Sequence, residues 1–389
     1  MRALDRKLLR DLWHLRGQAL AIAAVIMGGV ATLVMSLSTY DSLVTTRDRF
    51  YAERRLADVF ANLKRAPEPV ADRLRALPGV ERLETRVVAG VKLEVAGFLD
   101  PITGLVVSLP DEGEPLLDVP YLKRGRMVRP GDTDEVVVSD SFADAHRLEP
   151  GDRLAAIIEG RRKVLTVAGV AVSPEYVYQI APGAMFPDFK RYGVLWMGRD
   201  ALAAAYDMQG AFNDVALKLS RDANVREVID RVDEVLDRYG GTGSYARSDQ
   251  LSNRFLSEEL KQLKTTATLF PAIFLGIAAF LLDVVVSRLI ALQREQVAIL
   301  KAFGYTNLAV GAHYVKLVML IVLLGVAAGV ALGAWFGQGL ANVYAETTFR
   351  FPYLDYGVRP GVALIALAIS AAAAVSGTLF SVFRAARLA

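Results

Sequence analysis

Residues 18–37 read QALAIAAVIMGGVATLVMSL, twenty positions without a charged side chain. A helix needs roughly 20 mostly apolar residues to cross a bilayer core, and this stretch is long enough. The apolar region of a cleaved secretory leader is usually only about 7 to 15 residues long, so the segment is read as an uncleaved anchor. Three more stretches of the same kind follow, at 267–286 (ATLFPAIFLGIAAFLLDVVV), 317–340 and 361–383. The 389 residues are 53% hydrophobic and 22% charged, with a mean hydropathy of +0.32. That is too apolar for an ordinary soluble protein and too charged for a chain wholly in lipid. The fold class is therefore an α-helical membrane protein with four transmembrane helices and a polar domain between helices 1 and 2.

Lys and Arg near the span ends set the orientation. Arg2, Arg6, Lys7, Arg10 and Arg16 precede the first span. Arg288, Arg294, Lys301 and Lys316 lie between the second and third, and Arg384 and Arg387 follow the fourth. These regions are expected in the cytoplasm. Between the third and fourth spans Arg350 and Arg359 are offset by Glu346 and Asp355, which suits an outside loop. The organisation reads as a cytoplasmic segment 1–17, span 18–38, external domain 39–266, span 267–286, and a cytoplasmic loop 287–316. Span 317–340, external loop 341–360, span 361–383 and a cytoplasmic end 384–389 complete it, with both termini inside.

The net charge of +3 divides unevenly. Residues 39–266 hold 32 Lys+Arg against 36 Asp+Glu, so the basic excess belongs to the spans and their flanks. An external domain of net −4 argues against a nucleic-acid partner. With no cysteine in the chain, disulfides, thiolate metal sites and a cysteine nucleophile are excluded. No G-x-x-x-x-G-K-[ST] and no H-E-x-x-H occurs, and His14, His146 and His313 are too scattered along the topology to share a site. His146 is read as a surface residue ahead of a turn. Asp283, at the inner end of the second span, is an ionisable group near lipid and so a functional candidate, or else an interfacial carboxylate close to Arg288.

Within the external region, ADVFANL, PEPVADRLRALPG and VERLETRVVAG give strand, helix, strand, and NDVALKL, NVREVIDRVDEVLDRYG and TGSYARS repeat that order. Two separated strand-helix-strand units suit a ferredoxin-like α+β subdomain. The intervening part, with DEVVVSD, GDRLAAIIEG and RKVLTVAGVAV, reads as a β-rich insertion. Polar amphipathic sequence at both ends of the domain is read as a helical stalk. In SPEYVYQIAPGAMFPDFKRYGVLWM, aromatics alternate with Pro and Gly. Tyr176, Tyr178, Phe186 and Phe189 are candidates for an external contact with a partner or a lipid-like substrate, the competing reading being that the loop's aromatics cover the domain's own core.

Gly325, Gly329, Gly333 and Gly337 recur every four residues in the third span and form one smooth ridge. A neighbouring helix, from this chain or a second copy, can approach such a ridge closely. REQVAILKAFGYT, residues 294–306, has Val297, Leu300 and Phe303 on one side, Arg294, Glu295 and Lys301 on the other, and Gly304 as a C-terminal cap. It reads as a short amphipathic helix, and taken alone it also fits a connector lying on the membrane surface.

One anchor, a large external α+β domain and three further spans resemble the MacB/FtsX-like permeases of the type VII ABC transporters, over essentially the whole chain. RLIALQREQVAILKAFGYTNLAV is similar to that family's inner-loop pattern, and GRMVRPGDTDEVVVSDSFADAHRLEPGDRL to its external-domain pattern. The resemblance implies that Arg294, Glu295, Ala298, Leu300, Lys301 and Gly304 form a coupling element docking on a separate cytoplasmic ABC ATPase. With nucleotide- and metal-binding motifs missing from the sequence, no catalytic residue, metal or cofactor is expected in this chain, and the resemblance implies that ATP and Mg are held by the partner. Further partners implied are a second permease copy or homologous half, an external adaptor or hydrolase, and membrane lipid. Family chains usually continue a little past the last span, and many carry a second set of spans, whereas this sequence stops at RAARLA. A half-length permease that pairs with another copy and a truncated chain are both open.

Overall fold

A computed structural model describes residues 3–387. It leaves out the side chains of 3–7, Leu9, Arg294, Val297, Leu300, Lys301, Asn307, Leu308 and 379–387. Two helices open the chain, α1 (Ala3–His14) and α2 (Arg16–Glu53), followed by β1 (Val59–Pro67), α3 (Pro69–Arg75), β2 (Val80–Arg86), β3 (Val88–Glu94) and β4 (Ile102–Leu109). Then come β5 (Tyr121–Gly125), β6 (Glu135–Ser139), α4 (Asp140–His146), β7 (Arg153–Ile158), β8 (Arg161–Val172), β9 (Tyr192–Gly198), α5 (Arg199–Ala205) and β10 (Ala211–Leu219). The chain closes with α6 (Val225–Leu236), β11 (Ser244–Ala246), α7 (Leu251–Leu292), α8 (Arg294–Ala302), α9 (Asn307–Val343) and α10 (Pro360–Arg387).

Two compact units form. The first comprises Met1–Val44, Leu260–Val343 and Asp355–Ala389, and the second Thr45–Glu259 with Tyr344–Leu354. Among the described residues four helices are long and apolar enough to cross a membrane: Arg16–Glu53, Leu251–Leu292, Ala309–Thr348 and Pro360–Thr378. At 38 and 42 residues, α2 and α7 are roughly 57 and 63 Å long at 1.5 Å per residue. Each is about twice the roughly 30 Å of a bilayer core. Pro271 lies inside α7 without ending it. The described core of this unit runs along α2, α7, α9 and α10 and includes Ile26, Val34, Leu282, Val322 and Ala366.

In the second unit, β11-β1-β10-β2 form a four-stranded antiparallel sheet. With α3 and α6 on it, this order is that of a ferredoxin-like split βαβ. Helix α6 presents Val228, Val232, Val235 and Leu236, one face at helical spacing, to Leu83, Phe212 and Leu217. Its start is fixed by Asn224, whose side chain accepts a hydrogen bond from the Arg226 amide at 3.2 Å.

The intervening strands are ordered β5-β8-β6-β9-β4-β3-β7, and β7 also pairs with β8. Six strands therefore close on themselves, with β5 appended to β8. Closure removes the open edges that invite association between chains. The runs EVVVS and YGVLWMG have buried residues throughout. Val136, Val138, Leu195 and Met197 point into the barrel, whereas Val137, Val194 and Trp196 join a second apolar layer outside it. Burial on both faces explains why these strands read as continuous apolar runs and not as alternating ones.

The segment Tyr344–Leu354, a π-helical turn over Tyr344–Thr348 at the end of α9 and the chain that follows it, packs with this second unit. Phe349 and Phe351 are buried, their rings against Tyr178, Tyr344 and Phe50. Arg350 donates to Asp144 at 2.8 Å.

Candidate functional site: the inner loop and the glycine seam

Helix α7 ends at Leu292, and α8 begins two residues later. Between them Gln293 turns its side chain into a polar network, donating to Asp11 Oδ1 at 3.1 Å and accepting from the Tyr314 hydroxyl at 3.1 Å. His313 Nε2 lies 3.2 Å from Asp11 Oδ2. Asp11 and His313 are buried, so the base of the segment between α7 and α9 is tied by hydrogen bonds to both α1 and α9. The sequence reading passed over this group because its four members come from three distant stretches.

Beyond that base, α8 stands out with Glu295, Gln296, Ala298 and Ile299 exposed. Phe303 is 80% exposed and Leu292 76%. An apolar surface of this kind on an exposed loop marks a protein or membrane contact. Gly304 has φ +87° with open space around it, and the chain there turns away from the helix as a C-terminal glycine permits. Thr306 then caps α9, accepting from the Ala309 amide at 3.2 Å. Of the residues expected to contact an ATPase, Glu295, Ala298 and Gly304 are accessible here, while the side chains of Arg294, Leu300 and Lys301 lie outside the described residues.

The glycine ridge of α9 packs on α2 of the same chain. A methyl group added at Gly325 would lie 2.9 Å from the Ala23 carbonyl oxygen, and one at Gly329 2.7 Å from Val30 Cβ. At Gly333 it would lie 2.7 Å from the Ala31 carbonyl oxygen, and at Gly337 2.5 Å from the Tyr356 hydroxyl. The Thr39 hydroxyl donates to the Gly337 carbonyl at 3.1 Å across the same seam. Without Cβ atoms the two backbones come into direct contact, which is how helices associate in lipid, where no hydrophobic force separates helix from solvent. Gly377 serves α10 in the same way, at 2.5 Å from the Ala279 carbonyl oxygen of α7. Asp283 is partly buried on α7.

The four aromatics proposed as an external contact divide. Tyr176 is a correction to that expectation: its ring packs on Trp196, its hydroxyl donates to Glu175 at 3.1 Å, and burial raises its pKa well above the ordinary phenol value. Tyr178 is partly exposed, its ring lying 4.8 Å from Phe255 and 5.8 Å from Phe349. Phe189 is partly buried, with the Arg350 guanidinium 5.6 Å from its ring centroid. Phe186 alone of the four is fully presented, at 76% exposure, beside Met185 at 80%. The physical reason is that the loop's first half continues β8 and inherits its burial, whereas the Pro- and Gly-rich second half does not. His146 packs against Phe98 and Phe142, its Nε2 2.8 Å from the Lys190 carbonyl oxygen.

Where β2 passes into β3, Arg86 is buried among three carboxylates. It donates through Nε to Asp214 at 2.6 Å, and through Nη1 to Glu175 at 2.6 Å and to Asp118 at 3.3 Å. Asn62 donates to Asp214 and the Ala57 amide to Asp118. Burial, reinforced by the Glu175 charge and opposed by Arg86, pushes Asp118 from 3.8 up to about 8. Asp214 is raised by the same burial. This cluster joins the four-stranded sheet to the barrel, and Asn213 extends the join by bonding both the amide and the carbonyl of Val88 at 2.8 Å. Among the described residues no group of three or more His, Asp or Glu could hold a metal ion.

Family comparisons agree with this layout. The model of the MacB-like periplasmic core domain matches residues 19–235, and that of the FtsX-like permease C-terminal region matches residues 268–389. Among curated proteins none matches. Solved structures similar to the chain include the extracellular domain of the noncanonic ABC-type transporter YknZ from Gram-positive bacteria, 12% identical at a TM-score of 0.33, covering 49% of this chain and 98% of that one. The periplasmic region of MacB from Actinobacillus actinomycetemcomitans is likewise 12% identical at a TM-score of 0.33, covering 54% of this chain and 95% of the other. With one family model over more than half of the chain, and a second over its last three spans, the protein belongs to the MacB/FtsX-like permeases, the membrane subunits of type VII ABC transporters.

Proposed function

We propose that this permease couples ATP hydrolysis in a separate cytoplasmic ATPase, which holds the ATP and Mg, to motion of its external domain, and that this motion moves or extrudes a substrate. The observation that carries the reading is α8, a nine-residue helix with an exposed charged and apolar surface, rooted in the Asp11–Gln293–His313–Tyr314 network. A docked ATPase has there a handle on α1, α7 and α9 together. The permease sits in a bacterial inner membrane with both termini in the cytoplasm, and a second copy or homologous half completes the transporter. Its substrate is a lipid, lipoprotein, peptide or drug, acted on at the outer face.

A second reading is favoured by the exposed pair Met185 and Phe186. The same motion would then pass to an external hydrolase or adaptor seated on that apolar tip, without transport. Purification of the full chain with the cell's ATPase subunits tests the coupling. Glu295→Arg with Ala298→Arg, both on the exposed face, is expected to abolish co-purification of one specific ATPase while the thermal melt stays unchanged. Retention of that ATPase by the double variant would move the contact elsewhere. Accumulation of labelled substrate outside the cell then separates transport from transduction, which gives none.

A further inference from the structure

The end of α2 and the loop 110–120 enclose a cavity of about 510 Å3 in the external domain, within the roughly 300–1,000 Å3 of small-molecule sites. Leu109, Leu122, Met127 and Val128 form an apolar wall. The frame is pre-formed: the Val119 amide donates to the Arg54 carbonyl at 3.0 Å, and the Arg55 guanidinium to the Pro115 carbonyl at 2.9 Å. Leu116 N donates to Glu84 at 2.7 Å. Among the described residues Arg54 is the one cation lining the cavity. Its guanidinium lies 4.8 Å from the centroid of the Tyr121 ring, its Nε is buried, and among the described residues its side chain has neither a hydrogen bond nor an ion pair. The two acids on the rim have partners already. Asp111 accepts from the Asp200 amide at 2.9 Å, and Glu114 lies 3.6 Å from the Arg55 guanidinium.

A partly desolvated guanidinium without an acceptor is costly unless an anion meets it, and a planar fork beside an apolar wall matches a carboxylate with a hydrophobic body. We propose that this cavity binds a small carboxylate carrying an apolar chain or ring, with Arg54 clasping the carboxylate and the Leu109–Met127 wall covering the rest. The assignment is independent of the coupling reading, since equilibrium binding needs no ATPase.

Titration calorimetry on the full chain in nanodiscs of zwitterionic lipid tests it, with 6-phenylhexanoate and its uncharged amide as probes and empty nanodiscs as the blank. The acid is expected to bind at one site per chain and the amide not to bind. Arg54→Gln is expected to weaken the acid roughly ten- to hundred-fold with at most a small drop in melting temperature, because the contact it gives up is the cation–π contact with Tyr121 and no hydrogen bond or ion pair. Met127→Trp, which keeps the cation and fills the cavity, is expected to abolish binding. Should Arg54→Gln unfold the chain, Met127→Trp decides alone. No binding above the blank, equal binding of acid and amide, or full binding by Met127→Trp would overturn the proposal.

Discussion

Gly333→Ala tests whether the seam between α2 and α9 holds the membrane unit together. The added methyl carbon would sit 2.7 Å from the Ala31 carbonyl oxygen and 2.8 Å from Val34 Cβ, where ordinary carbon contacts lie at about 3.5–4.0 Å. Both obstacles are stiff, one backbone and one β-branched, so the helices must part by roughly 1 Å. Overpacking of this kind costs about 1–3 kcal/mol, and in lipid the lost contacts along the seam are not replaced by a hydrophobic gain. Alanine recovers about 0.5–1 kcal/mol over glycine in a helix interior, which leaves a net loss of up to about 2.5 kcal/mol, centred near about 1 kcal/mol. Gly339 supplies the control, since it lies in the same helix with nothing within 4 Å of the added methyl. Gly339→Ala should be neutral or stabilising by up to about 1 kcal/mol. Reversible denaturant unfolding of the full chain in mixed micelles reads the difference, expected at about 2 kcal/mol. If the two variants unfold within about 0.5 kcal/mol of each other, the seam does not carry the packing and the ridge argument fails.

Arg86→Met should destabilise by about 3–5 kcal/mol, since it leaves three buried carboxylates without their cation, and a melt of the full chain with Asp214→Asn added should recover part of the loss. Asp118 makes stability depend on pH with a definite sign. Between about pH 4 and pH 8 the folded chain keeps a proton that the unfolded chain releases, so stability falls as pH rises across that window. Asp118→Asn, at φ +51° where asparagine is well tolerated, should flatten the profile and melt higher than the parent above pH 8. Tyr178→Ser should cost roughly 2 kcal/mol through lost ring packing, while Phe186→Ser leaves the melt unchanged. Equal melts for these two would return Tyr178 to the surface.

Much of the architecture was legible because its signals are local. Twenty apolar residues in a row name a span, and the two strand-helix-strand units announced the four-stranded sheet by the periodicity of PVADRLR and VREVIDRVDEVL. The glycine ridge was legible as a packing surface, but its partner was not, since small residues every four positions describe a shape and not what fills it. Barrel closure was hidden, because β7 and β8 form a local hairpin while the ring is completed by β3 pairing with β7, strands far apart in the sequence, and no local pattern announces such a pairing. Arg86 was missed for a related reason. In VERLETR it looks like one more charged residue on a strand, and only the arrival of Asp118, Glu175 and Asp214 from three other segments shows that it points inward. The aromatic loop misled by composition, with Tyr176 and Tyr178 facing Trp196, Phe255 and Phe349, all but one of them outside the loop.

The eleven residues Tyr344–Leu354 change what counts as the external domain for anyone who wishes to isolate it. A secreted fragment cut to Thr45–Glu259 would lack Phe349 and Phe351, whose rings meet Tyr178 and Phe50. It would also leave Asp144 without the Arg350 guanidinium. Such a fragment carries an open wound in its own core, and its tendency to aggregate would be a property of the cut and not of the domain. Grafting the eleven residues back through a flexible tether should heal it, and a soluble version for binding work is better designed as a two-piece splice than as a single excision.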